Sequence, residues 1–413
     1  MTGNRNFPHF RTESITLGNG LRVVAQEAPG AVSYIGCAIG AGSRDDGAHP
    51  GLAHFVEHTV FKGTRRRSSW QIANRMESIG GELNAYTTKE ETMIYTNAPA
   101  GYAERAMEMI SDLIANSTFP SAETDRERDV IIEEIHSYLD NPAEAVYDEF
   151  DDRLYADSEL GHNILGTEES VRAISSENAR SFVDRFYVPE NMVVYCRAPE
   201  GIDKAFRIAD KYFGGLSHPM PHRERLTPKV LPRFAETVEE ESAQANTLMG
   251  CRLFGRRDPR RHALFLLNNH FGGPCMNSML NRELRDRRGL VYTVDSSVAL
   301  MSDTGALLIY FGTGLKEVGR CERIITRLIE KLAEKELSES ALERIKRQYV
   351  GQLTVGTEQN ENMAMNLAKS ILYFGEVHSP EETIAAVNRV RPEDLRGVAE
   401  LIAGQGLSRL TLG

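Results

Sequence analysis

A chain of 413 residues, 41% of them apolar, is long enough to bury more than one core and too long for one ordinary domain. Its formal net charge of -11 argues against nucleic acid or an anionic membrane as the main partner, because either rewards an excess of Lys and Arg; the run Arg65-Arg66-Arg67 reads as a solvated loop. No stretch approaches the roughly 20 apolar residues of a membrane span, residues 1–20 hold no apolar signal core, and the five scattered cysteines lack zinc-knuckle or redox spacing, so the expectation is a cytoplasmic chain with reduced thiols and no membrane partner.

In chain order, the alternation of Leu21-Arg22-Val23-Val24-Ala25 predicts a strand. The segment GLAHFVEH at 51–58 predicts a helix on which His54 and His58 lie one turn apart on one face, with Glu57 beside them. Two imidazoles at that spacing can close on one zinc ion and leave the neighbouring carboxylate to reach a metal-activated water. The order H-x-x-E-H is also a known zinc-protease signature. The plain alternative is a helix that carries two histidines by chance.

Residues 102–116 and 125–140 carry helical periodicity, and the second of these offers Glu127, Glu133 and Glu134 as a third ligand. Glu127 and Glu134 are seven apart and share a face with Val130 and Ile131 between them, whereas Glu133 is rotated away. Helix geometry therefore favours Glu134 as the ligand and Glu127 as its neighbour, holding a histidine or the site in register without touching the metal. The alternative is three surface charges paired with Arg126, Arg128 or solvent.

Met192-Val193-Val194-Tyr195-Cys196 again predicts a strand, and the proline-rich, polar stretch 214–234 predicts a linker. Beyond it the plan repeats: LVYTVDSSVAL and GALLIYFGTG precede helices over 322–334 and 340–353, as NAYTTKEETMIYTNA precedes the helices of the first half. The expected fold class is α+β, with two similarly folded domains, each a mainly antiparallel sheet covered by helices: a zinc-binding catalytic domain over 1–215, a linker over 216–233, and a homologous domain without metal over 234–413. His270 has no partner four residues away and Gln352 stands where a carboxylate would be needed, so one zinc per chain follows.

Together these motifs resemble the pitrilysin/insulinase-type metallopeptidases, in the half-length branch that includes the mitochondrial processing peptidases. GLAHFVEHTVFKGT is similar to the family's inverted zinc motif, RERDVIIEEI to the helix that supplies the third ligand, GGELNAYTTKEETMIY to a sheet edge beside the zinc, and LRDRRGLVYTV to an Arg and Tyr pair; FGGPCMNSML departs from a loop that in the family often holds more glycine or serine. The resemblance implies a zinc endopeptidase forming half of a clamshell, with ligands His54, His58 and Glu134, base Glu57, and Glu127 in support. It further implies that Asn84 and Ala85 bind substrate backbone by strand addition, while Arg285 and Tyr292 hold the substrate and the developing oxyanion. Unfolded peptides are the implied substrates, and a homodimer, or alternatively a heterodimer, is implied in which the second domain of one chain completes the zinc site of the other. The alternative function is a catalytically silent scaffold or peptide-binding subunit; a zinc hydrolase of small molecules has no positive support in the sequence.

Overall fold

Runs of β-branched and aromatic residues become strands here, and apolar residues recurring every three or four become helices. In the computed structural model, which describes residues 10–217, 219–220, 223, 225–239 and 244–413, these runs build two sheets, each in its own compact unit. Residues 218, 221, 222 and 224 of the expected linker lie outside the described residues.

The first unit draws on Met1–Ile135, Asn163–Glu224 and Thr357–Ser379. Its six strands are β1 (Thr12–Thr16), β2 (Arg22–Glu27), β3 (Val32–Ile39), β4 (Glu82–Thr87), β5 (Thr92–Pro99) and β6 (Met192–Ala198), ordered β1-β2-β6-β3-β5-β4. All its pairings are antiparallel except β2 with β6. Every residue of β6 is buried, which explains its apolar run from Met192 to Cys196, whereas β4 at the sheet edge is half exposed.

The second unit draws on His136–His162, Arg225–Gly356 and Pro380–Gly413. Its strands β7 (Ala235–Val238), β8 (Ala245–Leu253), β9 (Val291–Leu300), β10 (Gly305–Thr313) and β11 (Ser408–Leu412) are ordered β7-β11-β8-β10-β9, with β7 and β11 the parallel pair. This is the order β2-β6-β3-β5-β4 repeated, with the parallel pair in the same place. The α+β class and the duplicated plan expected from the sequence are both present.

The units differ from the linear division expected at residues 216–233 by two segments, each contributed from the other half of the chain. Helix Asn360–Phe374 presents Ala364, Leu367, Ala368 and Ile371 to Val24, Ala38, Met93 and Val193 of the first sheet. Helix Pro142–Leu154 presents Val146, Phe150 and Leu154 to Leu248, Leu308 and Leu410 of the second. Each sheet would otherwise leave an apolar face in water, and burial of these side chains offsets that at roughly 25 cal/mol per Å².

Because Ile371 is 3% exposed in this packing, Ile371→Ala is expected to cost the first unit about 2–5 kcal/mol, read as a lower midpoint in chemical denaturation. A change within about 0.5 kcal/mol would show that the helix does not pack there.

Candidate metal centre

The helix that carries both histidines, α1 (Leu52–Thr59), has eight residues and is too short to persist alone in water. It is held by burial of Leu52, Ala53, Phe55 and Val56 and by its N-terminus. The Asp46 carboxylate, 3% exposed, accepts from the amides of Gly51 and Ala53 at 2.7 Å each, satisfying donors that the first turn leaves open. Gly51 itself has φ of 91°, and a Cβ there would stand 2.6 Å from the Leu165 carbonyl oxygen, so only glycine suits this entry to the helix.

The approach to α1 is tied to the turn that joins β4 and β5. Ser43 and Arg44 donate their amides to the Thr88 and Lys89 carbonyls at 3.1 and 2.9 Å, and Arg44 Nη1 pairs with Glu90 Oε1 at 2.8 Å with both side chains buried. The metal-motif helix and the edge strand therefore share one anchor.

The structure brings His54, His58 and Glu134 together: one donor atom from each lies within 4.8 Å of the others. The imidazole rings stand 4.5 Å apart at 63°, and Glu134 Oε2 lies 3.3 Å from His58 Nε2 and 3.8 Å from His54 Nε2. Glu127 sits on the far side of the same ring, with Oε1 3.1 Å from His58 Nδ1, and Lys62 Nζ pairs with Glu127 Oε2 at 2.7 Å. Glu133, the neighbour in sequence, is no member of the group. The Glu134 side chain is 45% exposed, so the cluster opens to solvent on one side, where a substrate could reach it.

Burial, reinforced by the neighbouring His58, pushes His54 down to about 4, which keeps that imidazole neutral and its lone pair available. At His58 burial acts downward, but contacts with Glu134 and Glu127 outweigh it and the net shift is upward. The contact with His58 holds Glu134 below the usual carboxylate range against its partial burial. Burial pushes the Glu57 carboxyl up, opposed by Thr87 and His58.

These residues fit a divalent transition metal. The 3.8 Å between His54 Nε2 and Glu134 Oε2 is too long for a hydrogen bond, and His54 Nδ1 is buried with no partner among the described residues, so the ring is not spent on protein contacts other than its packing. Two imidazoles and one carboxylate with an open side match the donor set of a catalytic zinc site.

Asn84 and Ala85 lie on β4 opposite Tyr95 and Ile94 of β5, and the other edge of β4 pairs with no strand among the described residues. Arg285, in the π-helical turn Asn281–Asp286, and Tyr292, on β9, belong to the second unit; both are exposed, Tyr292 to 70%. In that unit His270 lies on helix Arg261–Phe271, and Gln352 donates to Cys275 Sγ. Sequence reasoning passed over Asp46 and Lys62. Lys62 follows His58 by four residues, the same interval that relates His54 to His58, and that spacing was the available signal. For Asp46 the signal was an aspartate shortly before a glycine that opens a helix.

A duplicated α+β fold with, among the described residues, one His-His-Glu group in its first unit defines the class of the molecule. Residues 22–168 match the family description "Insulinase (Peptidase family M16)", and residues 173–349 match "Peptidase M16 inactive domain". An uncharacterized zinc protease of Mycobacterium tuberculosis is 32% identical over 405 residues, spanning 96% of this chain and 92% of that protein. A second, of Bacillus subtilis, is 32% identical over 395 residues, spanning 93% and 94%. Among solved structures, a peptidase M16 inactive domain from Pseudomonas fluorescens shares the fold with a TM-score of 0.91 at 19% identity, covering 97% of this chain and 98% of that one. A protease from Helicobacter pylori does so with a TM-score of 0.89 at 21% identity, covering 98% and 100%. The chain belongs to peptidase family M16, in its half-length form.

If the group binds metal as its geometry allows, Glu134→Gln is expected to lower the zinc retained after dialysis about tenfold or more, while Glu133→Gln stays close to the parent in metal analysis. The opposite ranking would assign the third donor to the wrong glutamate.

Proposed function

We propose that this chain is a zinc-dependent endopeptidase that cleaves unfolded peptides, with His54, His58 and Glu134 as the zinc ligands, one ion per chain. The observation that carries the reading is the convergence of those three side chains on one face of α1, with Glu57 on the same helix. The relatives named zinc proteases, which align along nearly the whole chain, support it.

His54, His58 and Glu134 would hold a zinc ion whose Lewis acidity would make water a nucleophile near neutral pH. Glu57 takes the proton that the attacking water loses and passes it to the departing amine, so the peptide bond breaks to a carboxylate and an amine. Glu127 accepts a hydrogen bond from His58 Nδ1–H and holds that ring in place. The free edge of β4 at Asn84 and Ala85 takes the substrate backbone as an added strand, which requires an extended peptide and spares folded proteins. Arg285 holds a substrate carbonyl or carboxylate, and the Tyr292 hydroxyl donates to the oxyanion.

For Arg285 and Tyr292 to serve in this way we propose a homodimer enclosing a chamber, in which the second unit of one chain completes the zinc site of its partner. The proposed zinc ligands and the Arg and Tyr pair belong to the same chain, so two identical copies suffice.

Two outcomes test this reading. Glu57→Gln is expected to keep its zinc and lose about 10²–10⁴-fold in peptide turnover; near-normal turnover of the zinc-loaded variant would remove Glu57 from its role. His54→Ala and Arg285→Ala proteins, each inactive or weak, are expected to regain activity on mixing under conditions that exchange subunits, because one intact site is rebuilt. Confirmed exchange with activity no higher than the sum of the parents would contradict the shared site.

A further inference from the structure

Behind His58, on the side away from Glu134, lies an ion pair whose lysine has no part in the hydrolytic steps. Lys62 closes the turn Val60–Lys62 that continues α1, and Glu127 lies seven residues before Glu134 on helix Ser121–Leu139. The ammonium of Lys62 is 2.7 Å from Glu127 Oε2, and the other oxygen of that carboxylate is 3.1 Å from His58 Nδ1. The side chains of Lys62 and Glu127 are 28% and 12% exposed, so this is no freely solvated surface pair, the kind that contributes little.

We propose that Lys62 is a positioning residue for the metal centre: it fixes the Glu127 carboxylate so that one oxygen is committed to His58 Nδ1–H and the Nε2 lone pair of that ring is turned toward Glu134. The inference rests on the reading of His54, His58 and Glu134 as metal ligands. A neutral imidazole carries its proton on one nitrogen only, and an acceptor at Nδ1 makes Nε2 the ligand atom. Glu127 reaches His58 on a flexible side chain and, unanchored, would be free to swing toward the cation itself. Lys62, held by the backbone that continues from α1, removes that freedom.

The sign of one measurement separates positioning from plain charge. A nearby ammonium repels a bound cation, so if Lys62 contributed only its charge, removing it would tighten metal binding. If it positions Glu127, removing it weakens binding despite the relief of repulsion.

The experiment is a zinc titration of the full chain in competition with a chromogenic chelator at fixed pH, for the wild type, Lys62→Met, Lys62→Gln and Lys62→Arg, each with and without Glu127→Gln. The cobalt(II) absorption spectrum serves as the signature of ligand geometry. Losing a partner that touches a ligand directly costs about 10–100-fold in metal affinity; one step further out, Lys62→Met and Lys62→Gln are expected to weaken zinc binding by about threefold to tenfold. They are also expected to perturb the cobalt spectrum, with Lys62→Arg restoring both and the effect vanishing when Glu127 is already Gln. Unchanged or tighter binding in the two neutral variants overturns the proposal, as does an equal loss in the Glu127→Gln background. Using two neutral variants keeps the outcome from depending on whether either folds. Failure of the wild type to bind zinc would overturn the metal reading itself, and the Lys62 role with it, and is seen without any variant.

Discussion

The buried carboxylate of Asp46 accepts the amides of Gly51 and Ala53, and those two bonds fix where α1 begins and how it is rotated. An eight-residue helix has little stability of its own, so its direction is set by what holds its ends and its apolar face. A carboxylate at a helix N-terminus also meets the positive end of the helix dipole, and charge-assisted bonds to backbone amides are short and strong. Rotation of α1 by a fraction of a turn would carry His54 and His58 away from Glu134, which approaches on a separate helix. The left-handed backbone at Gly51 and the buried Arg44–Glu90 pair close the remaining freedom of this segment.

The duplicated topology shows how little of the chemistry lies in the fold. In the first unit α1 lies between β3 and β4, followed by helix Ser69–Glu77; in the second, helix Arg261–Phe271 lies between β8 and β9, and helices Ser121–Leu139 and Glu339–Gly356 stand in corresponding places. In the second copy His270 has no second histidine four residues away, and Gln352, bonded to Cys275, stands at the helix position that Glu134 holds in the first. A neutral amide and one imidazole lack the donor set of a divalent-metal site, and among the described residues the His-His-Glu group occurs in the first unit alone. Each unit also takes a helix from the other half of the chain, and the apolar faces of Asn360–Phe374 and Pro142–Leu154 complete the cores that strands alone leave open.

Much of this was legible in the residues. The interval from His54 to His58 and the seven-residue step from Glu127 to Glu134 are statements about helix faces, and helix geometry is regular enough for both to hold in three dimensions. The apolar run of β6 likewise carries its interior place in the sheet, whereas β2, expected to alternate, buries Val23, Val24, Ala25 and Gln26 in succession because it lies between two strands and is covered on both faces. The helix exchange was not legible, because an amphipathic stripe says that a helix packs and not which sheet it packs on. Asp46 was missed because its role depends on a fold-back of the chain onto Gly51 and Ala53, and Lys62 because its partner lies 65 residues away on another helix. Long-range polar pairing leaves no local period to read.

The central claim is that one zinc ion binds to His54, His58 and Glu134, and X-ray absorption at the zinc edge of the loaded protein tests it most directly. The account predicts near one zinc per chain in a shell of nitrogen and oxygen at about 2.0–2.2 Å with two imidazoles and no sulfur, and loss of that signal when His54 and His58 are both replaced by alanine. A shell containing cysteine sulfur at about 2.3 Å, or the same nitrogen and oxygen shell surviving in the double variant, would contradict it.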